Sequence, residues 1–293
     1  MKVVLIGASG QLGSDLCRAL DSFDLVPLLH SDIEITDTNS VRQAFEYYQP
    51  EVVINTAAYH RVDDCEDDPD TGFLVNALGA RNVAVAAELH SAKIVYLSTD
   101  YIFGGERGQR STPYTEFDSP IPANTYGRSK LAGEDFVRHL CRRHFIVRAS
   151  GLFGVAGASG KGGNFVETML RLARERDELR VVNDQIFSPT STRDLAGKIA
   201  QLLPTEYYGV FHITNRGVCS WYEFAREIVR LGGLDARVVP ITSAEYPTPA
   251  RRPGFSVLDN YHLRLLGLDD MRPWQEALRD YMEEKGHINA PSP

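Results

Sequence analysis

Residues 2–13 read Lys2-Val3-Val4-Leu5-Ile6 and then Gly7-Ala8-Ser9-Gly10-Gln11-Leu12-Gly13. The first five form a short apolar run of the kind that makes a buried parallel strand. In the glycine stretch, Gly7 permits a tight turn, Gly10 lets the backbone approach a pyrophosphate, and Gly13 allows close helix–strand contact. The N–H groups that open the following helix favour phosphate. We therefore predict a strand, a glycine loop and a helix that bind a dinucleotide, with a purely structural turn as the alternative.

The rest of the first half alternates short apolar runs with amphipathic stretches. The predicted strands are Lys2–Ile6, 25–29, Val52–Asn55, 93–97 and 145–148, and the predicted helices are 12–20, 41–48, 75–89 and 126–141. Alternation of this kind implies βαβ units with right-handed crossovers. The prediction is an α/β protein with a Rossmann-type doubly wound parallel sheet.

The pattern changes after about residue 150. A Gly/Ala/Ser-rich loop over 154–163 has a length suited to covering a site, and a proline-rich stretch over 244–253 predicts an ordered loop. Further helices are predicted over 164–176, Trp221–Leu231 and Trp274–Glu284, and strands over 180–182 and 209–213. We predict a dinucleotide-binding domain over 1–150, to which some later segments return, and a smaller C-terminal α/β substrate lobe over 151–289. A disordered tail is expected over 290–293.

Composition narrows the class of protein. The 293 residues carry 31 Lys and Arg against 39 Asp and Glu, a net charge of −8, which argues against nucleic acid or an anionic membrane as partner. No apolar run approaches the roughly 20 residues of a membrane span, and the start lacks the layout of a signal peptide. The cysteines are far apart with no CxxC, which favours a reducing cytoplasm and argues against a zinc site. They are Cys17, Cys65, Cys141 and Cys219. We expect a cytoplasmic protein without a metal.

The residues after the second predicted strand bear on the choice of cofactor. The dinucleotide fold usually places an acid there to bind the ribose 2′-OH. Here His30-Ser31 holds that position, with Asp32 and Glu34 beyond it and no Arg to hold a 2′-phosphate. The residues leave NADPH and NADH open, and we expect both to work with a modest preference for NADPH.

Tyr126 and Lys130 stand at i, i+4 spacing at the start of a predicted helix, and therefore on one face. A free Tyr has a pKa near ~10, and a neighbouring cation lowers that pKa, although such pairs are also common on exposed helices. The stretch Ser98-Thr99-Asp100-Tyr101 follows the fourth predicted strand, at the edge of the sheet where ligands bind. A hydroxyl there can hydrogen-bond a substrate carbonyl, while Asp100 either holds a sugar hydroxyl or caps a turn.

Together, the glycine loop, the hydroxyls after the fourth strand and the Tyr–Lys pair resemble the extended short-chain dehydrogenase/reductase superfamily. Further stretches narrow the resemblance to the dTDP-4-dehydrorhamnose reductase family, which reduces the C4 ketone of dTDP-4-dehydro-L-rhamnose to dTDP-L-rhamnose. These stretches cover nearly the whole chain. They are Asn55-Thr56-Ala57-Ala58-Tyr59, Val62-Asp63, Ser98-Thr99-Asp100-Tyr101-Ile102-Phe103, Asn124-Thr125-Tyr126-Gly127, Lys130-Leu131-Ala132-Gly133-Glu134, Asn183-Asp184-Gln185, Pro189-Thr190 and Tyr246-Pro247-Thr248-Pro249-Ala250.

The resemblance implies a role for each matched residue. Tyr126 would donate the proton to the C4 oxygen, Lys130 would tune Tyr126 and bind the ribose, and Thr99 would hydrogen-bond the reacting oxygen. The expected contacts to NADPH or NADH are Gly7, Gly10, Gln11, Leu12, Gly13, His30, Glu34, Ile35, Ala58, Tyr59, His60, Tyr126 and Lys130. The expected substrate contacts are Thr99, Asp100, Gly151 and Arg252, with Arg252 near the diphosphate. Asn76 is expected to be structural.

The sequence departs from the family at the predicted sugar pocket. Members usually carry a Trp soon after the fifth strand that stacks on the sugar, and Gly151 stands there instead. The following loop, 155–163, looks longer than usual, and His60-Arg61 replaces a small pair. A stripe that begins at Trp221 and continues with Phe224, Ala225, Ile228 and Val229 has helical spacing and is predicted to be core.

These patterns predict an NAD(P)H-dependent ketone reductase of a nucleotide-linked deoxysugar, as a monomer or homodimer. Two enzymatic alternatives are another nucleotide-sugar 4-ketoreductase and an epimerase. A third alternative is a non-catalytic, dinucleotide-binding regulatory subunit, since relatives of the family serve as such.

Overall fold

The structure is a computed structural model that describes residues 1–106, 110–157 and 163–289. Its strands are β1 (Lys2–Ile6), β2 (Asp24–Leu28), β3 (Val52–Asn55), β4 (Lys93–Thr99), β5 (His144–Ala149), β6 (Leu152–Phe153), β7 (Glu178–Val182), β8 (Ile186–Phe187), β9 (Thr190–Ser191), β10 (Gly209–His212), β11 (Cys219–Ser220) and β12 (Arg237–Ile241). Its α-helices are α1 (Gln11–Ala19), α2 (Thr38–Tyr48), α3 (Asp64–Asp67), α4 (Pro69–Phe73), α5 (Ala80–Leu89), α6 (Thr125–Leu140), α7 (Phe165–Glu175), α8 (Thr192–Leu202), α9 (Trp221–Leu231), α10 (Tyr261–Leu265) and α11 (Trp274–Glu284). A π-helical segment at Leu74–Gly79 joins α4 to α5, and short 3-10 turns lie at Asp100–Ile102 and Ser243–Glu245.

Six of these strands form one parallel sheet in the order β10-β5-β4-β3-β1-β2. Helices α1 and α8 cover one face of the sheet, and α2, α5 and α6 cover the other. Strands between two helical layers are apolar on both sides, which is why every residue of β3 is buried. Since β1 lies between β2 and β3, the winding reverses there and opens a crevice at the carboxyl ends of β1 and β3.

The predicted α/β fold with a Rossmann-type sheet is confirmed. β1 and β3 have the predicted bounds, and the other predicted strands of the first half agree to within two residues. The helix predicted over 75–89 is divided, because helical structure begins at Pro69, widens into the π-helical segment and resumes as α5. A widened turn of this kind breaks the 3.6-residue period on which the prediction rested.

Beyond β5 the chain builds a second hydrophobic core from α7, α9 and α11. β7 pairs in parallel with β12, and β8 pairs antiparallel with β11. The strand predicted over 209–213 is β10, which joins the main sheet beside β5, and α8, which the sequence did not predict, packs on α1. These later segments therefore return to the first half, while the boundary at residue 150 stays a prediction.

Two segments predicted from the sequence extend beyond the residues that the structure describes. The loop predicted over 154–163 falls partly outside the described residues, and the tail 290–293 lies wholly outside them. The proline-rich stretch over 244–253 begins within the 3-10 turn at Ser243–Glu245 and is otherwise irregular. Within the part of the chain that the structure describes, no helix is long and apolar enough to cross a membrane.

Candidate active site

The glycine loop carries the chain from β1 into α1 with little space around it. Gly7 adopts a φ of +86°, which favours glycine. A Cβ on Gly13 would lie 2.2 Å from the Gly7 carbonyl oxygen, so only glycine lets α1 come this close to the loop. Gly10 is the N-cap of α1 and no side chain caps that end. The first N–H groups of the helix are therefore left for a ligand.

The loop forms one end of a cleft of about 680 Å³ at the carboxyl ends of the strands. Every predicted cofactor contact lines this cleft, as do the predicted catalytic residues and three of the four predicted substrate contacts. These are Gly7, Gly10, Gln11, Leu12, Gly13, His30, Glu34, Ile35, Ala58, Tyr59, His60, Thr99, Asp100, Tyr126, Lys130 and Gly151. A volume of this size, with an uncapped helix N-terminus at one end, fits a nicotinamide dinucleotide.

Three polar side chains stand where the adenine ribose is expected. Asp32 turns back to accept a hydrogen bond from the Leu29 N–H at 2.7 Å, so it belongs to the local turn. Glu34 accepts from the Thr36 N–H and hydroxyl at 2.9 and 2.7 Å, and these bonds lower the pKa of its carboxyl. His30 is exposed, with Nε2 3.8 Å from the Glu34 carboxylate. The imidazole is the group at this end that a 2′-phosphate could meet.

Helix α6, which carries Tyr126 and Lys130, is anchored at its start. The Asn124 side chain accepts from the Gly127 N–H at 2.8 Å, and the Thr125 N–H donates to Glu66 at 2.7 Å. A Cβ on Gly127 would lie 2.1 Å from the Tyr101 carbonyl oxygen, so α6 packs directly on the turn after β4. These contacts bring Tyr126 to the hydroxyls that end β4.

Lys130 lies one turn after Tyr126 in α6 and is almost wholly buried. Its Nζ donates to the Leu97 carbonyl oxygen at 2.7 Å and sits 4.1 Å from the centre of the Tyr96 ring. Burial lowers the pKa of Lys130 to about 7, and the negative charge of Glu134 opposes that change. Glu134 is fully buried one turn further along α6, where Arg148 donates to it at 2.7 Å and Ser98 at 2.5 Å.

The pKa of Tyr126 departs from the sequence prediction. A neighbouring cation was expected to lower it, yet burial raises the pKa of the Tyr126 phenol, with the charge of Asp100 acting in the same direction. A side-chain hydrogen bond with Thr99 lowers it only in part. Burial outweighs the stabilisation of the phenolate, so the phenol stays protonated at neutral pH. That state suits a proton donor.

Asp100 ties three segments of the chain together. Its carboxylate accepts from Ser150, just after β5, at 2.8 Å, and from Ser256 in the C-terminal half at 2.6 Å. Thr99 also donates to it, at 3.2 Å. Burial raises the pKa of Asp100 to about 6, and the three hydroxyls moderate the rise. With its oxygens used in this way, the carboxylate acts first as a link between segments, and its contact with substrate stays a prediction.

Asn76, in the π-helical segment, links Tyr59 in the wall of the cleft to Ser129 in α6. Its Oδ1 accepts from the Tyr59 N–H at 2.8 Å, and its Nδ2 donates to the Tyr59 carbonyl oxygen at 3.0 Å and to the Ser129 hydroxyl at 2.9 Å. The side chain is buried and is not part of the cleft lining. It positions Tyr59 relative to α6, in line with the structural role expected for it.

A second cavity, of about 1030 Å³, adjoins the cleft. Arg252 lines this cavity and not the cleft, and its Nη2 donates to Asp63 at 2.7 Å. Its guanidinium carbon lies 5.9 Å from the centre of the Tyr101 ring. Further arginines in the wall are Arg61, Arg176 and Arg180. Cationic groups in a cavity next to the cleft can receive an anionic ligand such as a diphosphate.

The wall of the cleft near Gly151 contains an aromatic residue, Phe187, that the sequence analysis did not predict there. Gly151 has a φ of +54°, and a Cβ there would lie 2.3 Å from Cε2 of Phe187. The Phe187 ring stacks on Trp221, with centroids 3.9 Å apart and planes at 24°. Trp221 was predicted to be core. Its indole packs against the core of the second half, but it is only partly buried and also lines both cavities. The rest of the stripe, Phe224, Ala225, Ile228 and Val229, is buried as predicted.

Sequence reasoning missed Phe187 and Trp221 for different reasons. Phe187 lies in β8, a two-residue strand too short to show a period. Trp221 is the first residue of α9, directly after the Ser220 cap. Its place at a helix end was the one signal that separated it from the core stripe.

As for metals, residues 1–106, 110–157 and 163–289 hold no group of three His, Cys, Asp or Glu side chains placed to bind an ion.

Comparisons with known proteins bear on this site. The family model described as the RmlD substrate binding domain matches residues 1–286. The spore coat polysaccharide biosynthesis protein SpsK of Bacillus subtilis is 41% identical, over 97% of this chain and 98% of its own. The dTDP-4-dehydrorhamnose reductase of Mycolicibacterium smegmatis is 38% identical, over 95% of this chain and 84% of its own. A crystal structure of dTDP-4-dehydrorhamnose reductase from Bacillus anthracis in complex with NADP is 42% identical, with a TM-score of 0.91, and covers 97% of this chain and 99% of that chain.

Proposed function

The chain belongs to the RmlD substrate binding domain family, and from that premise we propose that it reduces the C4 ketone of dTDP-4-dehydro-L-rhamnose to dTDP-L-rhamnose. One observation carries the proposal. Thr99, Tyr126 and Lys130 line the same cleft as the glycine loop, and this cleft adjoins a cavity that holds Arg252. A nucleotide sugar needs both parts, because its ketone must reach the proton donor while its diphosphate meets positive charge.

The chemistry divides between cofactor and protein. NADPH or NADH, when bound, supplies the hydride. Tyr126 donates its proton to the C4 oxygen, and its raised pKa ensures that the proton is present at neutral pH. Thr99 is within hydrogen-bonding reach of the Tyr126 phenol and holds the same oxygen. Lys130, in its cationic form, stabilises the phenolate that remains after transfer. Gly10, Gln11 and Leu12 receive the cofactor pyrophosphate at the start of α1.

A spectrophotometric assay tests the proposal. NADPH consumption by the purified chain is followed with dTDP-4-dehydro-L-rhamnose as substrate, and the product is identified by mass spectrometry and NMR. Tyr126→Phe removes the proton donor but keeps the ring, so kcat should fall by about 10²–10⁴-fold with NADPH affinity nearly unchanged. Near-normal turnover by the Phe variant would remove Tyr126 from the mechanism.

A second candidate is reduction of a different dTDP-4-keto sugar. It is favoured by the Phe187 ring over Gly151, because this ring gives the pocket a wall that the sequence resemblance did not predict. A panel of dTDP-4-keto sugars in the same assay ranks the substrates by kcat/KM. An epimerase would interconvert sugars without net NADPH consumption, and a regulatory subunit would bind NADPH without turnover, so the panel also separates these alternatives.

A further inference from the structure

Few residues line the junction between the two cavities. Among the described residues, Val62, Tyr101, Gln185 and Trp221 line both the cleft and the second cavity. Two of the four are aromatic. The Tyr101 ring meets the Tyr126 ring edge-on with centroids 5.9 Å apart, and it also lies 5.9 Å from the Arg252 guanidinium. A ligand that extends from Arg252 to the Tyr126 hydroxyl therefore crosses the junction, and Trp221 is one of the four residues that line it.

Trp221 is held in place before any ligand arrives. It opens α9 behind a capping box, in which the Ser220 hydroxyl accepts from the Glu223 N–H at 3.1 Å and the Ser220 N–H donates to the Glu223 carboxylate at 2.8 Å. Its indole stacks on Phe187 and packs against Phe165, with centroids 4.7 Å apart. A side chain fixed in this way loses little conformational freedom when a ligand binds. The indole nevertheless stays partly exposed and lines both cavities.

Phe187 is itself fixed, because it is wedged between Trp221 and the backbone at Gly151. It is 4% exposed, and any side chain at position 151 would collide with it. The stack is therefore a two-layer aromatic wall, supplied by β8 and α9, over the end of β5. A rigid aromatic surface suits a ligand that offers apolar C–H groups on one side and polar groups elsewhere. In a nucleotide-linked deoxysugar, the hexose ring with its methyl group has that character.

We propose that Trp221, backed by Phe187, is the surface on which the hexose ring of the nucleotide sugar packs, so that a residue of α9 determines sugar specificity. The inference rests on the proposed function for the identity of the ligand. It places the nucleotide beyond the indole, at Arg252, and the ketone before it, at Tyr126. The Trp221 contact is therefore made with the hexose and not with the base.

Kinetics of three variants test this placement. Trp221→Leu should raise the KM for the nucleotide sugar at least tenfold, while Trp221→Phe recovers most of the affinity. The inhibition constant of free dTDP, which lacks the hexose, should change less than twofold in both. Tyr222→Ala is the matched control on the same helix turn, since Tyr222 lines neither cavity, and it should behave as wild type. An unchanged sugar KM in Trp221→Leu overturns the proposal, as does a loss of dTDP or NADPH affinity in place of sugar affinity.

A binding measurement separates this inference from the proposed reaction. The chain has two tryptophans, so Trp274→Phe leaves Trp221 as the sole indole. In the presence of NADP, dTDP-L-rhamnose should change its fluorescence and dTDP alone should not. If wild type reduces no dTDP-4-keto sugar but the fluorescence responds to dTDP-L-rhamnose, the proposed reaction fails and the sugar platform stands. If wild type turns over and the fluorescence is indifferent to the sugar, the platform fails alone.

Discussion

We expect Lys130 to couple the pH of the medium to the proposed reaction. Burial lowers its pKa to about 7, while the phenol of Tyr126 stays protonated well above that pH. In the proposed reaction, the active state pairs a neutral Tyr126 with a cationic Lys130. The cation is present below about pH 7 and is lost as the pH rises through that value. We expect kcat, measured at saturating substrate and cofactor across a pH series, to decline on the alkaline side.

Lys130→Arg is the matched variant for this prediction. A guanidinium keeps its charge throughout the accessible pH range. The variant should be slower, because Arg does not fit the contact with the Leu97 carbonyl, but its alkaline decline should disappear. A wild-type kcat that stays level through the alkaline range would show that Lys130 is not the titrating group.

Arg252 is expected to act on the substrate alone. It lines the second cavity and not the cleft that holds the glycine loop. Arg252→Ala should raise the KM for the nucleotide sugar by an amount equivalent to about 1.5–3 kcal/mol, the scale of hydrogen bonds to charged groups, with NADPH affinity unchanged. Asp63→Asn is the control, since it weakens the ion pair and leaves the guanidinium in place. Loss of NADPH affinity with an intact sugar KM would mean that the two cavities have been assigned the wrong way round.

The approach of α1 to β1 allows a sharp test at the scale of one element. A Cβ on Gly13 would lie 2.2 Å from the Gly7 oxygen, whereas one on Gly197, in the middle of α8, would meet nothing within 4 Å. Gly13→Ala must push α1 away from the loop, so we expect NADPH affinity to fall at least about tenfold, or ~1.4 kcal/mol. Gly197→Ala should keep wild-type affinity and raise stability by roughly 0.5–1 kcal/mol. Isothermal titration measures the NADPH affinity of each variant, and thermal melts measure its stability. Equal NADPH affinities in the two variants would refute the account of the glycine loop.

The elements that could be predicted share a physical property. β1 and β3 are continuous apolar runs between two helical layers, so their bounds appear directly in the sequence. The Tyr126–Lys130 pair could be predicted because i, i+4 spacing fixes one face of α6 wherever that helix lies. β8 and the indole of Trp221 could not, because their positions depend on packing between α7 and α9, far apart in the sequence. The direction of the Tyr126 pKa failed for a related reason, since burial is a property of the folded chain.

Asp100 links the main sheet to the C-terminal half, and its partners Ser150 and Ser256 lie 50 and 156 residues away in the sequence. Its pKa is about 6 in the folded protein against ~3.9 in an unfolded chain. The folded protein binds more protons between these values, so the stabilising contribution is complete below about pH 4 and is lost as the pH rises through about 6.

A difference measurement isolates this effect from every other titrating group. The free energy of unfolding of wild type minus that of Asp100→Asn should fall by about 3 kcal/mol between about pH 4 and about pH 7. A flat difference for Asp100→Asn would mean that the carboxyl is solvated in the folded protein.

The cytoplasmic location and the monomeric or dimeric state stay predictions.

The position of β10 in the sheet affects how the chain folds during its synthesis. While the nascent chain extends only as far as β5, the edge of β5 that later pairs with β10 has no partner strand. The apolar face of the sheet that α8 later covers is also exposed. An unpaired strand edge is a template for aggregation. The first half thus depends on residues made much later, and chaperones are expected to hold it until then. The same connectivity governs the engineering of chimeras. Exchanging substrate lobes between relatives by a single crossover at residue 150 would divide the sheet, whereas crossovers on both sides of 192–212 would keep it whole.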